Sequence, residues 1–264
     1  MKSAIAFDEI EFHEGPQSFI EIKSQSFFDP VIHQELQEME GVIAIKQLHP
    51  VLPVMARKNL QVPFITCEGM LEYNKDKQLP LWALAVAYEM ARGNISEGEV
   101  MEKMRQIIRI MGHAIESGLK GTTYHDRILG SQSPGFQSKM EEGKLAGGDL
   151  NNRIILYVSS MMEVKSSMGV IVAAPTAGSC GALPGALFGT AHLLDLSEEV
   201  LVKAMLSAGL IGVFIASQAT FAAEVGGCMA ETGSGGGMAA AAIVEMKGGT
   251  LEQSIAAASM ALQN

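Results

Sequence analysis

The sequence is poor in charged and aromatic residues. Of its 264 residues, 18% are charged and 6% are aromatic. So low a charge excludes a disordered tail and a coiled coil, because both classes are rich in charged residues. Apolar residues make up 48% of the chain and include 17 methionines. This composition indicates a core of close-packed helices.

Basic residues are scarce as well, and the formal net charge is −10. A nucleic-acid surface needs clustered Lys and Arg, so a small-molecule ligand or a protein partner is the better expectation. The N-terminal stretch MKSAIAFDEIEFHEGP turns acidic before an apolar segment forms, unlike a signal peptide. We therefore expect a cytoplasmic protein whose three cysteines are free thiols or metal ligands rather than a disulfide framework.

Several common functional motifs are missing. There is no phosphate-binding loop, no Cys-x-x-Cys pair and no His-Glu-x-x-His, and the segment GSGGGM lacks a preceding strand and an acidic ribose ligand. Two uncharged runs, 166–194 and 204–223, are long enough to span a bilayer. Prolines interrupt the first and polar residues the second, so we interpret both as buried core and expect no membrane partner.

The chain divides at about residue 80. Segment 1–79 has recurring prolines and contains both strand-like and helix-like sequence patterns, so we expect a small mixed α/β segment. SFIEIKSQSF predicts a strand, DPVIHQELQEME predicts a helix with Asp29 as its cap, and VPFITCE predicts a short strand. Residues 80–264 predict a compact, mostly α-helical domain with glycine-rich loops at helix N-termini.

Helix boundaries in the second domain are predicted from local signals. Capping boxes start helices at Ser96 and Thr250, and Asn151 or Asn152 caps another. The run 122–150 is a polar, glycine-rich connection in which His125 stands beside Asp126 and Arg127, an acid–base-capable group. A further helix is expected to begin after the glycines of ETGSGGG.

Two segments are crowded with small residues, AAPTAGSCGALPGAL (173–187) and EVGGCMAETGSGGGMAAAA (224–242). Either the backbone approaches a ligand closely there, or the glycines permit tight helix packing. Backbone N–H groups at a helix entrance hold carboxylates or phosphates, and Thr176 and Ser179 add hydroxyl donors. Glu224 and Glu231 flank Cys228 in an otherwise uncharged region, so they are either satisfied by partners or functional.

Together the two segments resemble the signature segments of the α chain, or catalytic domain, of bacterial iron–sulfur-dependent L-serine dehydratases. The resemblance runs from about Pro80 to Asn264. It implies a mostly α-helical domain that eliminates water from L-serine, giving pyruvate and ammonia without pyridoxal phosphate. It also implies a β chain as partner, a comparable fused domain, or a homo-oligomer.

The resemblance further implies a [4Fe–4S] cluster held by three cysteines, with one open iron acting as a Lewis acid on the serine hydroxyl. Its first ligand matches Cys228, and Cys180 is considered as a further thiol. The candidate catalytic residues are His125 and Glu224. Substrate binding is expected from both segments, at Thr176, Ala177, Gly178, Ser179, Glu231, Ser234 and Gly235.

The other two ligands of the family lie in a Cys-Asp-Pro-Val-Ala-Gly segment and a later Pro-Cys. By spacing they would fall just beyond Asn264. Met229 stands where the family usually has Gln, and Cys180 where many two-chain members have Ala. We therefore expect either a dehydratase whose sequence continues, or a cluster-free or inactive relative that serves as a small-anion-binding or partner subunit.

Overall fold

The computed structural model describes residues 9–15, 18–23, 30–45, 60–128 and 130–263. Its chain forms two compact units, Met1–Val51 and Leu52–Asn264.

In the first unit, strands β1 (Glu9–His13) and β2 (Phe19–Lys23) pair antiparallel, and helix α1 spans Pro30–Gln37. The predicted strand in SFIEIKSQSF and the helix that begins at Pro30 are confirmed. The rest of that strand prediction, 24–27, and the Asp29 cap lie outside the described residues.

In the second unit, the described residues form ten helices: α2 (Cys67–Asn74), α3 (Leu81–Gly93), α4 (Glu97–Leu119), α5 (Ser133–Glu141), α6 (Gly148–Ser166), α7 (Ala182–Leu193), α8 (Glu198–Gln218), α9 (Ala223–Gly226), α10 (Cys228–Met246) and α11 (Leu251–Leu262). The prediction of a mostly α-helical chain with a small mixed N-terminal part is confirmed. The domain boundary after residue 79 stays a prediction.

The predicted helix starts are correct where the capping side chain and its hydrogen-bond partner lie within the same helical turn. Ser96 Oγ accepts from the N–H of Glu99 at 3.3 Å, and the Glu99 carboxylate accepts from the Ser96 N–H at 2.9 Å. Thr250 and Gln253 form the same reciprocal pair at the start of α11. Both predicted capping boxes are confirmed.

Three local predictions are wrong. VPFITCE forms no strand; Thr66 instead caps α2, accepting from the N–H of Gly69 at 3.1 Å. The connection 122–150 contains α5, whose first turn accommodates a proline. Helix α6 begins at Gly148 rather than after Asn151 or Asn152, and Asn152 is buried inside the helix with its Oδ1 close to Gly147.

The predicted start of α10 after the glycine run is also wrong, since the helix begins at Cys228 and includes that run. Glycine lowers helix propensity by about 1 kcal/mol per residue. Here packing outweighs this penalty: a Cβ at Gly237 would lie 2.9 Å from Leu262 Cγ, and one at Gly235 would lie 3.4 Å from Ala182 Cβ. The glycines let α11 and the start of α7 approach α10 closely.

Helix α8 lies at the centre of the second unit and packs against α3, α4, α7 and α10, while α10 also contacts α11. Among the described residues, α8 is the helix with the length and hydropathy of a bilayer-spanning segment. In this chain 61% of the most apolar part of α8 is buried, as is typical of core helices of the same length and hydropathy. The other uncharged run, 166–194, is divided between α6, a loop and α7.

Candidate active site

The first small-residue segment forms a loop that leads into α7. Ser179 and Cys180 are buried at its base, whereas Ala177 and Gly178 are exposed. Thr176 Oγ1 accepts from the N–H of Ser179 at 3.3 Å, which closes the turn locally. Among the described residues, the N–H groups of Ala177 and Gly178 donate no hydrogen bond. The exposed tip of the loop therefore carries two backbone donors that have no acceptor among the described residues.

The second segment meets this loop through one hydrogen bond. Glu231 lies in the first turn of α10, and its Oε1 accepts from Thr176 Oγ1 at 2.6 Å. Because the Thr176 hydroxyl proton is used there, the neighbouring Ser179 hydroxyl, 3.1 Å away, donates to Thr176 Oγ1. The two residues are 55 positions apart in sequence, so the fold brings the two segments together at this point.

Gly178 is packed directly against the Glu231 carboxylate. A Cβ at this position would lie 2.6 Å from each carboxylate oxygen. A side chain at Gly178 would make the carboxylate, the far end of the Glu231 side chain, move from its present position. The absence of a side chain at Gly178 therefore lets the two segments meet as closely as they do.

The three cysteines lie in different surroundings. Cys228 is the first residue of α10 and is exposed. Cys180 is buried with its Sγ 3.8 Å from the sulfur of Met162, and burial raises the pKa of its thiol. Cys67 begins α2, and burial followed by the charge of Glu68 raises its thiol pKa. Cys228 is thus the cysteine most accessible to a metal or a reagent.

The two candidate catalytic residues, His125 and Glu224, are not hydrogen-bonded to Thr176 or Glu231. His125 is in an exposed turn and pairs with the Asp126 carboxylate at 2.7 Å. Glu224 is exposed on the short helix α9. No hydrogen bond or ion pair between described residues joins either of them to Thr176 or Glu231.

Ser234 and Gly235 are buried on α10, one turn beyond Glu231. A Cβ at Gly235 would lie 3.4 Å from Pro175 Cδ, which brings this part of α10 against the first segment. A surface cleft of about 750 Å³ lies elsewhere, lined by parts of 68–80 and 249–252, and contains none of these candidates. The candidate site is therefore the surface formed by the loop tip and the first turn of α10.

Comparison with known proteins shows which family the chain belongs to. Residues 76–264, which carry both segments, match the family described as serine dehydratase alpha chain. The chain belongs to this family. Its relatives are lyases, so the chain is an enzyme chain of the lyase type.

Several relatives of the family are similar over most of this chain. The probable L-serine dehydratase alpha chain of Bacillus subtilis is 35% identical over 201 residues, covering 76% of this chain and 67% of that protein. The L-serine dehydratase alpha chain of Peptoniphilus asaccharolyticus is 35% identical over 203 residues, covering 75% and 68%. L-serine dehydratase 1 of Escherichia coli is 26% identical over 76% of this chain and 45% of its own length.

One residue of this family member escaped the sequence reasoning. Glu163 of α6 accepts hydrogen bonds from the Ser131 hydroxyl at 2.8 Å and from the N–H of Gln132 at 2.6 Å. It also lies 3.8 Å from the guanidinium of Arg127, and both side chains are close to nine-tenths buried. Glu163 thereby anchors the loop that carries His125. No local motif signals this role, because its partners lie about thirty residues earlier.

Proposed function

We propose that this chain is the catalytic α chain of an L-serine dehydratase, which converts L-serine to pyruvate and ammonia. The observation that carries the proposal is the meeting of the two family segments at Thr176 and Glu231. Cys228 and Glu231 are three residues apart on one helix, a spacing that puts them on neighbouring parts of the same face. An accessible thiol, a carboxylate and the free donors of Ala177 and Gly178 thus belong to one small surface.

The reaction is a β-elimination. A base takes the Cα proton, the electron pair of that C–H bond forms the Cα–Cβ double bond, and the β-hydroxyl leaves as water after accepting a proton. The resulting aminoacrylate tautomerises to an imine, and water releases ammonia to give pyruvate. His125 and Glu224 are the candidate bases, and both are exposed in this chain.

The substrate carboxylate is assigned to the N–H groups of Ala177 and Gly178, which are exposed residues whose N–H groups donate no hydrogen bond to the described chain. Backbone donors before a helix N-terminus bind anions, since the aligned peptide dipoles add to the attraction. The Ser179 hydroxyl donates to Thr176, so it supports the loop rather than supplying a further donor to substrate.

A [4Fe–4S] cluster held by three thiolates is what the family resemblance implies. When bound, such a cluster polarises the hydroxyl that leaves. Of the cysteines in the described residues, Cys228 fits a ligand position because it is exposed beside Glu231. Cys180 is buried against Met162, and Cys67 lies on α2, so these residues do not fit a complete three-thiolate set. We assign Cys228 alone as a ligand from this part of the chain.

The assembly belongs to the same proposal. The Bacillus subtilis and Peptoniphilus asaccharolyticus relatives are named as alpha chains, which favours a β chain as the partner of this one, with a homo-oligomer as the alternative. We place the enzyme in the cytoplasm and expect it to work without pyridoxal phosphate.

The test is anaerobic production of the full gene product, with and without its partner chain, followed by reconstitution with iron and sulfide. Pyruvate formation from L-serine is then measured with lactate dehydrogenase. We expect iron-dependent turnover that Cys228→Ala abolishes and Cys67→Ala leaves intact. Turnover that survives Cys228→Ala would remove the ligand assignment. Iron-loaded protein that binds L-serine without turnover would favour the small-anion-binding relative instead.

A further inference from the structure

The Glu231 carboxylate lacks a cationic partner among the described residues. Among the described residues it accepts one hydrogen bond, from the Thr176 hydroxyl at 2.6 Å. No Lys, Arg or His nitrogen of the described residues forms an ion pair with it. A carboxylate accepts several hydrogen bonds, so most of its capacity remains unused. A half-buried anion with a single neutral donor is an incomplete arrangement.

The carboxylate oxygens of Glu231, which can accept further hydrogen bonds, lie beside the loop tip. Both carboxylate oxygens lie against Gly178, at a position where a Cβ would be 2.6 Å away. Gly178 and Ala177 are exposed, so a ligand reaches the carboxylate past a residue without a side chain. The Thr176 hydroxyl, itself held by the Ser179 N–H, fixes the direction of Oε1.

This placement would be unfavourable for a ligand that is only an anion. The unpaired N–H groups of Ala177 and Gly178 attract a carboxylate, yet the Glu231 carboxylate beside Gly178 repels one. An α-amino acid resolves the conflict, because its carboxylate and its ammonium are attached to the same carbon. The donors and the acceptor then each meet a group of opposite charge.

We propose that Glu231 binds the α-ammonium of the substrate and thereby selects α-amino acids over acids that lack the amino group. Thr176 is the positioning residue that orients the Glu231 carboxylate. The inference rests on the proposed function, since it concerns the substrate of that site. It assigns Glu231 a specificity role and Thr176 an indirect one, where the sequence had predicted direct substrate binding by both.

The experiment compares two ligands on the reconstituted enzyme. L-serine carries the ammonium, and 3-hydroxypropanoate has the same carboxylate and β-hydroxyl without it. Glu231→Gln keeps the size of the side chain and a hydrogen-bond acceptor for Thr176 but removes the charge. We expect the KM for L-serine to rise about 10- to 100-fold, which corresponds to the loss of one charged hydrogen bond. The inhibition constant of 3-hydroxypropanoate should stay unchanged or fall.

Two controls separate recognition from structure. Glu116→Gln makes the same charge change at an exposed site in the last turn of α4 and should alter neither constant. Thr176→Val should raise the KM for L-serine, and Thr176→Ser, which keeps the hydroxyl, should restore it. If Glu231→Gln weakens both ligands equally, or neither, the ammonium assignment is wrong and Glu231 is a structural acceptor.

Binding measurements keep this test independent of turnover. Isothermal titration calorimetry gives the affinities of L-serine and 3-hydroxypropanoate even if the wild-type protein forms no pyruvate. A preference for L-serine that Glu231→Gln removes would support the ammonium site while the dehydratase assignment failed. No binding of L-serine to wild type would overturn the ammonium site itself.

Discussion

Adding a single methyl group at Gly118 is expected to destabilise the second unit, although alanine is the better helix former. Gly118 is buried near the end of α4, where α4 crosses α6. A Cβ at this position would lie 2.3 Å from the Ser160 carbonyl oxygen and 2.7 Å from its Cα. These are backbone atoms of a helix, so no side-chain rotation relieves the overlap.

Two opposing free-energy changes set how much Gly118→Ala lowers the stability. Replacing Gly by Ala within a helix favours folding by about 1 kcal/mol. Overpacking a well-packed core typically costs about 1–3 kcal/mol and occasionally more. A clash this short lies at or above the upper end of that range, so after the propensity gain of about 1 kcal/mol we expect a net loss of about 2 kcal/mol or more. For a domain of this size, a loss of about 2 kcal/mol lowers Tm by about 4–8 °C.

The assay is urea unfolding followed by far-UV circular dichroism, with Gly209→Ala as the matched control. Gly209 lies inside α8, is exposed, and has no atom within 4 Å of the position of a Cβ. Its substitution should stabilise the chain by up to about 1 kcal/mol, because only the propensity change operates. If Gly118→Ala were as stabilising as Gly209→Ala, the close approach of α4 and α6 would be refuted.

Three further perturbations test other parts of the second unit. Burial raises the pKa of Glu245, so its ionisation opposes folding. Glu245→Gln should be more stable than wild type at pH 7, and calorimetric scans should show this difference shrinking as the pH falls through the raised pKa of Glu245 and disappearing below the ordinary value of 4.5. Iodoacetamide should modify Cys228 in the native protein and Cys180 only after unfolding, as read by peptide mass spectrometry; equal labelling of both would contradict their different burial. Glu163→Gln should speed hydrogen exchange of the loop amides before α5, whereas unchanged exchange would deny the anchoring role.

Sequence reasoning succeeded where a helix signal is local. The Ser96 and Thr250 capping boxes each involve residues three positions apart, so the sequence alone contains the whole interaction. It failed at the start of α10, because the contacts that stabilise glycines in that helix come from Ala182 and Leu262, far along the chain. Propensity predicts such a start poorly when tertiary packing supplies the compensating energy.

In the candidate site, too, the individual residues could be predicted from the sequence but the contact between them could not. Thr176 and Glu231 were both selected from the sequence as substrate-binding residues, but their hydrogen bond was not predicted. No periodicity links residues 55 positions apart, and only the packing of α7 on α10 brings them together. Their pairing also changes the chemistry expected of each, since the Thr176 proton is directed to Glu231 instead of outward.

The glycines in and just after the first segment contact different parts of the chain according to their position. In α7, Gly185 and Gly189 lie against the backbone of α6, where a Cβ would come within 2.8 Å of the Val158 nitrogen and 3.2 Å of the Ile154 Cα. Gly178, before the helix, adjoins the Glu231 carboxylate. Because α7 is held on α6 by its packing glycines and on α10 by direct contact, the position of the loop relative to Glu231 depends on both interfaces. Tight helix packing therefore holds in place the loop that carries Gly178 beside Glu231.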